Sequence, residues 1–421
     1  MVDRSVLPNR NIIVIDMKSF FAACECVERD LDPFTTPLVV AEPGRNGAIT
    51  LAVTPYMKSL GVKSRTRIYE IPSKIKYITA PPRMSLYIEK SKEVVSIYQD
   101  YVSKEDIHIY SIDECFLDVT DYLKMYNKTD YELALEILDT IYKKTGLTGT
   151  AGIGPNMLIA KVAMDREAKH NKDNIAKWTY DDIETKFWSI TPLSDFWGIG
   201  KRQERNLNAM GIKSIGDLAK YDIKKLKNKF GIIGEELWNH ANGIDMARIG
   251  DFNTAPKDKS YGHSQVLFKD YDEENIHIII KEMIDVLVAR LRRNKKYTTV
   301  LGFGIGYSKS YDGGFYHSRK LPTSTDDAEI LYEFCMSMFQ KFYENYPIRK
   351  VSISLGGLVN NNSEQLNLFD DYDKKQEKEN INSAVDDIKN KYGKNSIIKA
   401  SSLLKDSTAI ERNKKIGGHR G

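Results

Sequence analysis

Two stretches decide how this chain reads: Asn11-Ile-Ile-Val-Ile-Asp16 and Ile107-His-Ile-Tyr-Ser-Ile-Asp-Glu-Cys-Phe-Leu-Asp-Val119. The first is β-branched and apolar and ends in one carboxylate, the pattern of a buried strand. The second is another strand system, interrupted by the pair Asp113-Glu114. Burying an unpaired carboxylate costs several kcal/mol, so such a sequence should supply a counter-charge. No Lys or Arg interrupts either stretch, and a divalent cation is the economical answer. Hard oxygen ligands without paired His or Cys favour Mg²⁺ over zinc. Two such ions a few ångströms apart form the clamp used for in-line phosphoryl transfer. Alternation puts Asp113 and Glu114 on opposite faces of a regular strand. If Asp113 joins Asp16, Glu114 faces away unless a turn or bulge re-aims it. The plainer alternative is that the pair caps a hairpin turn.

Working outward, Met17-Lys-Ser-Phe-Phe-Ala-Ala has helix-compatible spacing, and short strands between about Leu38 and Pro82 are broken by Pro43, Gly44, Pro55 and Pro72. Met84 to Tyr101 reads as an amphipathic helix, Asp130 to Thr145 as a helix, Thr148 to Ile153 as a strand and Met157 to Ala168 as a helix. A second unit, from near Thr179 to about Gly243, reads as short helices punctuated by Gly. A third, about Lys259 to Leu358, alternates strands with two long helices, Glu274 to Asn294 and Asp326 to Tyr343. That is a β-α-β-β-α-β layout. After Val359 an Asn-rich loop opens a polar tail. The fold class expected is α+β, in several domains.

The whole has 421 residues, 41% hydrophobic and 29% charged, which calls for two to four domains of globular composition. No apolar run is long enough to span a bilayer, and Met1 to Asn11 has no apolar core of a secretory signal, so a cytoplasmic location and no membrane partner are expected. The four cysteines, including the Cys24-x-Cys26 pair, are too scattered for a disulfide framework or a zinc site and read as buried thiols. The net charge of +4 is unevenly spread. Lys201 to Phe230 holds 9 basic and 3 acidic residues, and Val286 to Lys320 holds 8 basic and 1 acidic. Two basic regions on an otherwise acidic chain suggest a polyanion such as nucleic acid, although solvated lysine surfaces would give the same count. Phe196-Trp-Gly-Ile-Gly-Lys201, followed by Leu207 and Met210-Gly-Ile212, reads as a helix-hairpin-helix. Its Gly198 and Gly200 allow backbone N–H groups to approach a phosphate at a helix N-terminus. A plain αα-turn with a Gly cap fits the same spacing.

Three motifs, in order, resemble the Y-family translesion DNA polymerases, in their bacterial UmuC-like branch. They are Ile15-Asp-Met-Lys-Ser-Phe-Phe-Ala22, Tyr110-Ser-Ile-Asp-Glu-Cys-Phe-Leu-Asp118 and Gly152-Ile-Gly-Pro-Asn-Met-Leu-Ile-Ala-Lys161-Val-Ala163. Met157 stands where the family usually has a Lys. The resemblance runs over roughly residues 11 to 370 and implies a right-hand polymerase. Its parts are a ferredoxin-like palm (1–37 and 78–177), small fingers (38–77), a helical helix-hairpin-helix thumb (178–250) and an α+β little finger (257–359), with 360–421 a flexible tail.

The resemblance also implies site roles. Asp16 and Asp113, with the Met17 carbonyl, would hold two Mg²⁺ ions. Glu114 would be a shared catalytic and metal carboxylate near the primer 3′-hydroxyl. Phe21 takes the steric-gate position, with Phe20 beside it, so the substrate would be a deoxynucleoside triphosphate; one ring packs in the core and the other faces the site. Ser111, Lys58 and Lys169 complete the nucleotide site. Lys169 matches only with a one-residue insertion after Asp165, and Pro55 replaces the usual Tyr near Lys58. Gly198, Gly200 and Lys201 of the thumb, and Arg292 and Arg293 of the little finger, would contact primer–template DNA. Gln365-Leu366-Asn-Leu368-Phe369 is similar to the peptide that docks bacterial polymerases on the sliding clamp. Nothing resembles a proofreading exonuclease, so error-prone synthesis by a monomer is the expectation. A non-catalytic, clamp-associated DNA-binding scaffold and a nucleotide cyclase are the competing readings.

Overall fold

The structure, a computed structural model, describes residues 4–44, 47–253, 259–360 and 372–420. The chain divides into a first unit, 1–255 with 419–421, and a second, 256–418.

In the first unit the elements run β1 (Ile12–Met17), α1 (Phe20–Val27), β2 (Leu38–Val40), β3 (Ala52–Val53), α2 (Pro55–Ser59), β4 (Ile78–Ala80) and α3 (Met84–Gln99). They continue as β5 (Ile107–Ile109), β6 (Glu114–Asp118), α4 (Leu123–Tyr126), α5 (Asp130–Thr145), β7 (Gly149–Gly154), α6 (Met157–Ala163) and β8 (Ile175–Lys177). Five strands form a sheet in the order β5-β6-β1-β7-β8, with β1 antiparallel to both neighbours. Central β1 is covered on both faces. Ile13, Ile15 and Met17 pack in one core with Tyr87, Ile97 and Tyr98 of α3 and Leu133, Ile137 and Ile141 of α5. Ile12 and Val14 pack in a second core with Phe116 and with Leu158, Ile159 and Val162 of α6. Period-2 alternation therefore puts Asp16 on the α6 side. A small sheet β3-β2-β4 carries its own core of Val39, Val53, Met57, Val62 and Ile71. Four helices follow: α7 (Lys201–Asn208), α8 (Ile215–Lys220), α9 (Ile223–Phe230) and α10 (Ile232–Ala241). Their Leu207, Ile215, Leu218 and Leu226 extend the α6-side core. All four cysteines are free and buried, as the thiol reading expects.

The second unit runs β9 (Tyr261–Tyr271), α11 (Ile276–Arg293), β10 (Lys296–Tyr307), β11 (Gly314–Thr325), α12 (Ala328–Phe342), β12 (Ile348–Gly356) and β13 (Val359–Asn360). This is the β-α-β-β-α-β order, folded as an antiparallel sheet β11-β10-β12-β9. One face buries Leu301, Phe303, Ile305, Val351, Ile353 and Leu355 with Ile279, Ile280, Met283, Leu287 and Met338 of the two helices. The other face is polar and open: Ser264 bonds Ser352 at 2.8 Å, and the Tyr316 hydroxyl lies 2.8 Å from Ser354 Oγ. Glycine is required beside Tyr316 at Gly304, where a Cβ would lie 2.4 Å from the Phe315 backbone carbonyl oxygen.

Residues beyond 371, expected as part of a flexible tail, are folded instead. Helix α13 (Tyr372–Tyr392) and the short α14 (Ala409–Asn413) dock on this unit. Arg292 donates twice to Asp386 of α13, at 2.7 and 3.1 Å, and Arg293 donates to Asn390 at 3.0 Å. The two arginines expected to contact DNA thus bond the chain's own C-terminal segment, one through a carboxylate and one through an amide. Glu282 of α11, 5% exposed, accepts from Ser407 Oγ at 2.5 Å, Thr408 Oγ1 at 3.0 Å and the Thr408 amide at 3.2 Å. Thr408→Val should therefore destabilise this unit by about 1.5–3 kcal/mol, the worth of a hydrogen bond to a buried charge, read by denaturant unfolding. An unchanged midpoint would show that Glu282 does not depend on this segment. The Ile-Gly-Gly-His piece also gains an account: Gly417 (φ 58°) and Gly418 (φ 87°) both adopt the positive φ of a two-residue I′ turn.

His263 of β9 sits against Arg412 and Lys394, and burial first, then these cations, push its pKa down to about 4. Its imidazole is thus neutral where an unfolded His, near 6.5, already binds a proton. The unit should lose stability as pH falls from about 6.5 towards 4, and His263→Gln should flatten that slope in calorimetry. An equal slope in both proteins would assign the acid sensitivity elsewhere.

Candidate active site

The register of β1 against β6 pairs Asp16 with Glu114, Val14 with Phe116 and Ile12 with Asp118. Opposed residues of an antiparallel pair share a face, so Glu114 stands beside Asp16 on the α6 side. The alternation concern is resolved at Asp113, not Glu114. Residues 111–113 form a bend, and β6 begins only at Glu114. Ser111 Oγ closes that bend with a 2.6 Å hydrogen bond to Asp113 Oδ1, and the Met17 amide donates to the Asp113 carbonyl at 2.9 Å. Asp113 lies near enough to Asp16 for its charge to help raise the Asp16 pKa.

The counter-charges come from the helix beyond β7. Lys161 of α6 lies 2.8 Å from Glu114 Oε1 and 2.9 Å from Oε2, with both side chains under a tenth exposed. Lys169 Nζ lies 2.5 Å from Asp16 Oδ2 and 2.8 Å from Asp165 Oδ1. The expected divalent cation is not the sole counter-charge: no cation interrupts the strands, but two arrive from the segment packed on their face. Lys161 and Asp165 were not among the expected site residues. Their signal was the 161-165-169 spacing, one helical face read every fourth residue. A single π turn at Met164–Ala168, closed by the Lys169 amide on the Met164 carbonyl at 3.1 Å, absorbs the extra residue after Asp165 and delivers Lys169 to Asp16.

Burial raises the pKa of Asp16 and of Glu114, against the opposing pull of Lys169 and Lys161 respectively. Burial alone would lower Lys169, but Asp16 and Asp165 raise it. Burial lowers the pKa of Lys58, against the opposing pull of Asp16 and with a smaller push from Lys169; burial and then Lys58 lower Lys18. Lys18, which the sequence reading passed over, bonds Asn174. The site thus sets carboxylates beside crowded ammonium groups.

Phe20 is 2% exposed and belongs to the core, so its assignment to the nucleotide is corrected; Phe21 is the half-buried ring of the pair. Met17 ends β1, itself buried. In the thumb, Gly198 takes φ +91°, Gly200 is the N-cap of α7, and neither has an atom within 4 Å of a built Cβ, so the hairpin backbone is open in front. Lys201 is exposed and bonds Ser194 Oγ at 2.9 Å. Gln365 to Phe369 lie outside the described residues.

A divalent cation fits this donor set in one way. Among the described residues no three His, Cys, Asp or Glu side chains gather into a cage. Glu114 Oε1 is buried without an aligned hydrogen bond, and Asp16 and Asp113 oppose each other's charge. One or two carboxylates plus substrate phosphates is how Mg²⁺ is usually held, in place of an all-protein cage.

Among known proteins, residues 15–165 match the impB/mucB/samB family, 258–368 the C-terminal domain of that family and 194–245 the thumb domain of DNA polymerase-iota. UvrX of Bacillus subtilis, a protein named for UV-damage repair, is 39% identical over all of this chain and all of its own length. DNA polymerase IV 2 of the same organism is 33% identical over 98% of this chain and 100% of its own. A solved Y-family DNA polymerase chimera has the same fold, with a TM-score of 0.66 at 20% identity, over 83% of this chain and 100% of that one. The chain belongs to the impB/mucB/samB family, the Y-family of DNA polymerases. Among the described residues no helix is long and apolar enough to cross a membrane.

Proposed function

We propose that this chain is an error-prone, template-directed DNA polymerase that adds deoxynucleotides opposite and past lesions. The observation that carries the reading is the carboxylate set Asp16, Asp113 and Glu114 at the paired ends of β1 and β6, flanked by Lys58 and Lys169. Relatives named for UV-damage repair and as DNA polymerase IV support it. Asp16 and Asp113, with the Met17 carbonyl, would hold two Mg²⁺ ions, and Glu114 would share them. Bound there, the ions would polarise the phosphate and lower the pKa of the attacking hydroxyl. Lys58 and Lys169 orient the triphosphate, with Lys169 exchanging its Asp16 partner for phosphate oxygens. Ser111 holds the Asp113 carboxylate in its bend. The thumb hairpin at Gly198 and Gly200 meets the DNA backbone, which fixes position without reading sequence. The peptide Gln365 to Phe369 docks on a sliding clamp, and the working location is the cytoplasm. Primer extension on an undamaged template tests the metal dependence: synthesis should require Mg²⁺ and stop with a chelator. Full synthesis without divalent cation would overturn the two-metal reading.

Phe21 acts in this reading as the floor of the sugar pocket. Phe21→Ala should raise ribonucleotide use relative to deoxynucleotide use by about tenfold or more, since an ångström-scale change in fit moves rates by such factors. A ratio equal to that of the unaltered enzyme would place the gate elsewhere.

A further inference from the structure

Phe21 does not stand alone. Two residues one helical turn apart on α1, Phe21 and Glu25, face two with the same spacing at the start of α3, Arg83 and Tyr87. The Phe21 and Tyr87 rings pack with centroids 4.9 Å apart and planes tilted by 51°. Tyr87 is fully buried, and its hydroxyl donates to Glu25 Oε1 at 2.7 Å. Glu25, also fully buried, is gripped by Arg83 through Nε on Oε1 at 3.0 Å and Nη2 on Oε2 at 2.8 Å. Arg29, a turn further along α1, bonds the same carboxylate and donates to the Glu25 carbonyl at 2.7 Å. Burial would raise the Glu25 pKa, but the Arg83, Tyr87 and Arg29 hydrogen bonds outweigh it and keep the carboxylate ionised.

The chain Arg83–Glu25–Tyr87–Phe21 is thus closed: α1 carries the carboxylate and the Phe ring, and α3 carries the guanidinium and the ring beneath. A tyrosine held at its hydroxyl by a fixed acid cannot slide, so its ring sets the height of the ring on top. We infer that Tyr87, locked by Glu25 and Arg83, is the positioning residue that fixes Phe21 and thereby sets how strictly the enzyme rejects ribonucleotides. This rests on Phe21 lying against the sugar of the incoming nucleotide. Neither Tyr87 nor Glu25 touches the carboxylate site, so their effect should fall on sugar choice and leave phosphoryl transfer in place.

The experiment measures kcat/KM for a deoxynucleotide and its ribonucleotide counterpart, well below each protein's melting temperature, in Tyr87→Leu, Tyr87→Phe, Glu25→Gln and Phe21→Ala. Tyr87→Leu removes the supporting ring and should raise the ribonucleotide-to-deoxynucleotide ratio about tenfold, with deoxynucleotide use changed only a few-fold. Tyr87→Phe keeps the ring and should restore most of the discrimination. Glu25→Gln, which loosens the anchor without removing a ring, should fall between them and serves where Tyr87→Leu does not fold. A ratio that rises in Phe21→Ala but stays fixed in Tyr87→Leu and Glu25→Gln would overturn the inference, leaving the network a structural ion pair. A ratio fixed in all four would instead remove the sugar-gate reading of Phe21, and the inference with it.

Discussion

Asp113→Ala should abolish nucleotide addition while leaving DNA binding nearly intact. Asp113 is held out of β6 by a local bend, bonded to Ser111 and set beside Asp16, so its loss removes charge from the proposed reacting centre without cutting into the sheet. Removing one preorganised electrostatic contact from a transition state typically costs about 10²–10³ in kcat. In the proposed reading DNA is met by the thumb hairpin at Gly198 and Gly200 and not by Asp113, so affinity for a primer–template should stay within a few-fold. The check is single-turnover addition alongside a binding titration. Extension above roughly a tenth of wild type would remove Asp113 from the chemistry, because a metal-site carboxylate is worth more than that.

Lys161→Met is the largest expected stability change. Lys161 and Glu114 form an ion pair with both side chains under a tenth exposed, and truncating one partner leaves a buried carboxylate uncompensated. Such breaks cost about 3–5 kcal/mol. Lys161→Met combined with Glu114→Gln should recover much of the loss, since the pair then goes together. Denaturant unfolding of the three proteins measures the coupling. Additive losses in the double variant would mean that Lys161 serves some other partner, and Asp165 at 3.1 Å is the one in reach.

Much of this arrangement was legible in the residues, and the illegible parts have physical reasons. The buried strand ending at Asp16 and the second system with Asp113-Glu114 pair in the structure, because apolar runs with a lone terminal carboxylate have few other uses in a sheet. The β-α-β-β-α-β layout of 259–358 followed from period changes between strand and helix. What could not be read was long-range: no local pattern says that the face bearing Lys161, Asp165 and Lys169 lies over Asp16 and Glu114. Lys161 and Lys169 lie outside both strands, so the strand residues alone point to a divalent cation as the economical counter-charge. Arg292 and Arg293 show the same limit: their bonds to Asp386 and Asn390, nearly a hundred residues on, leave no local signal in the basic cluster. The π turn that seats Lys169 was visible only as an awkward insertion after Asp165.

The central claim is that this site copies DNA past damage. Its most direct test is primer extension by the purified chain in Mg²⁺ on two templates, one intact and one with an abasic site just ahead of the primer, with Asp113→Ala as the inactive control. The unaltered protein should insert opposite the abasic site and extend beyond it, and the variant should do neither. Extension that halts one nucleotide before the lesion, while the intact template is copied, would contradict it.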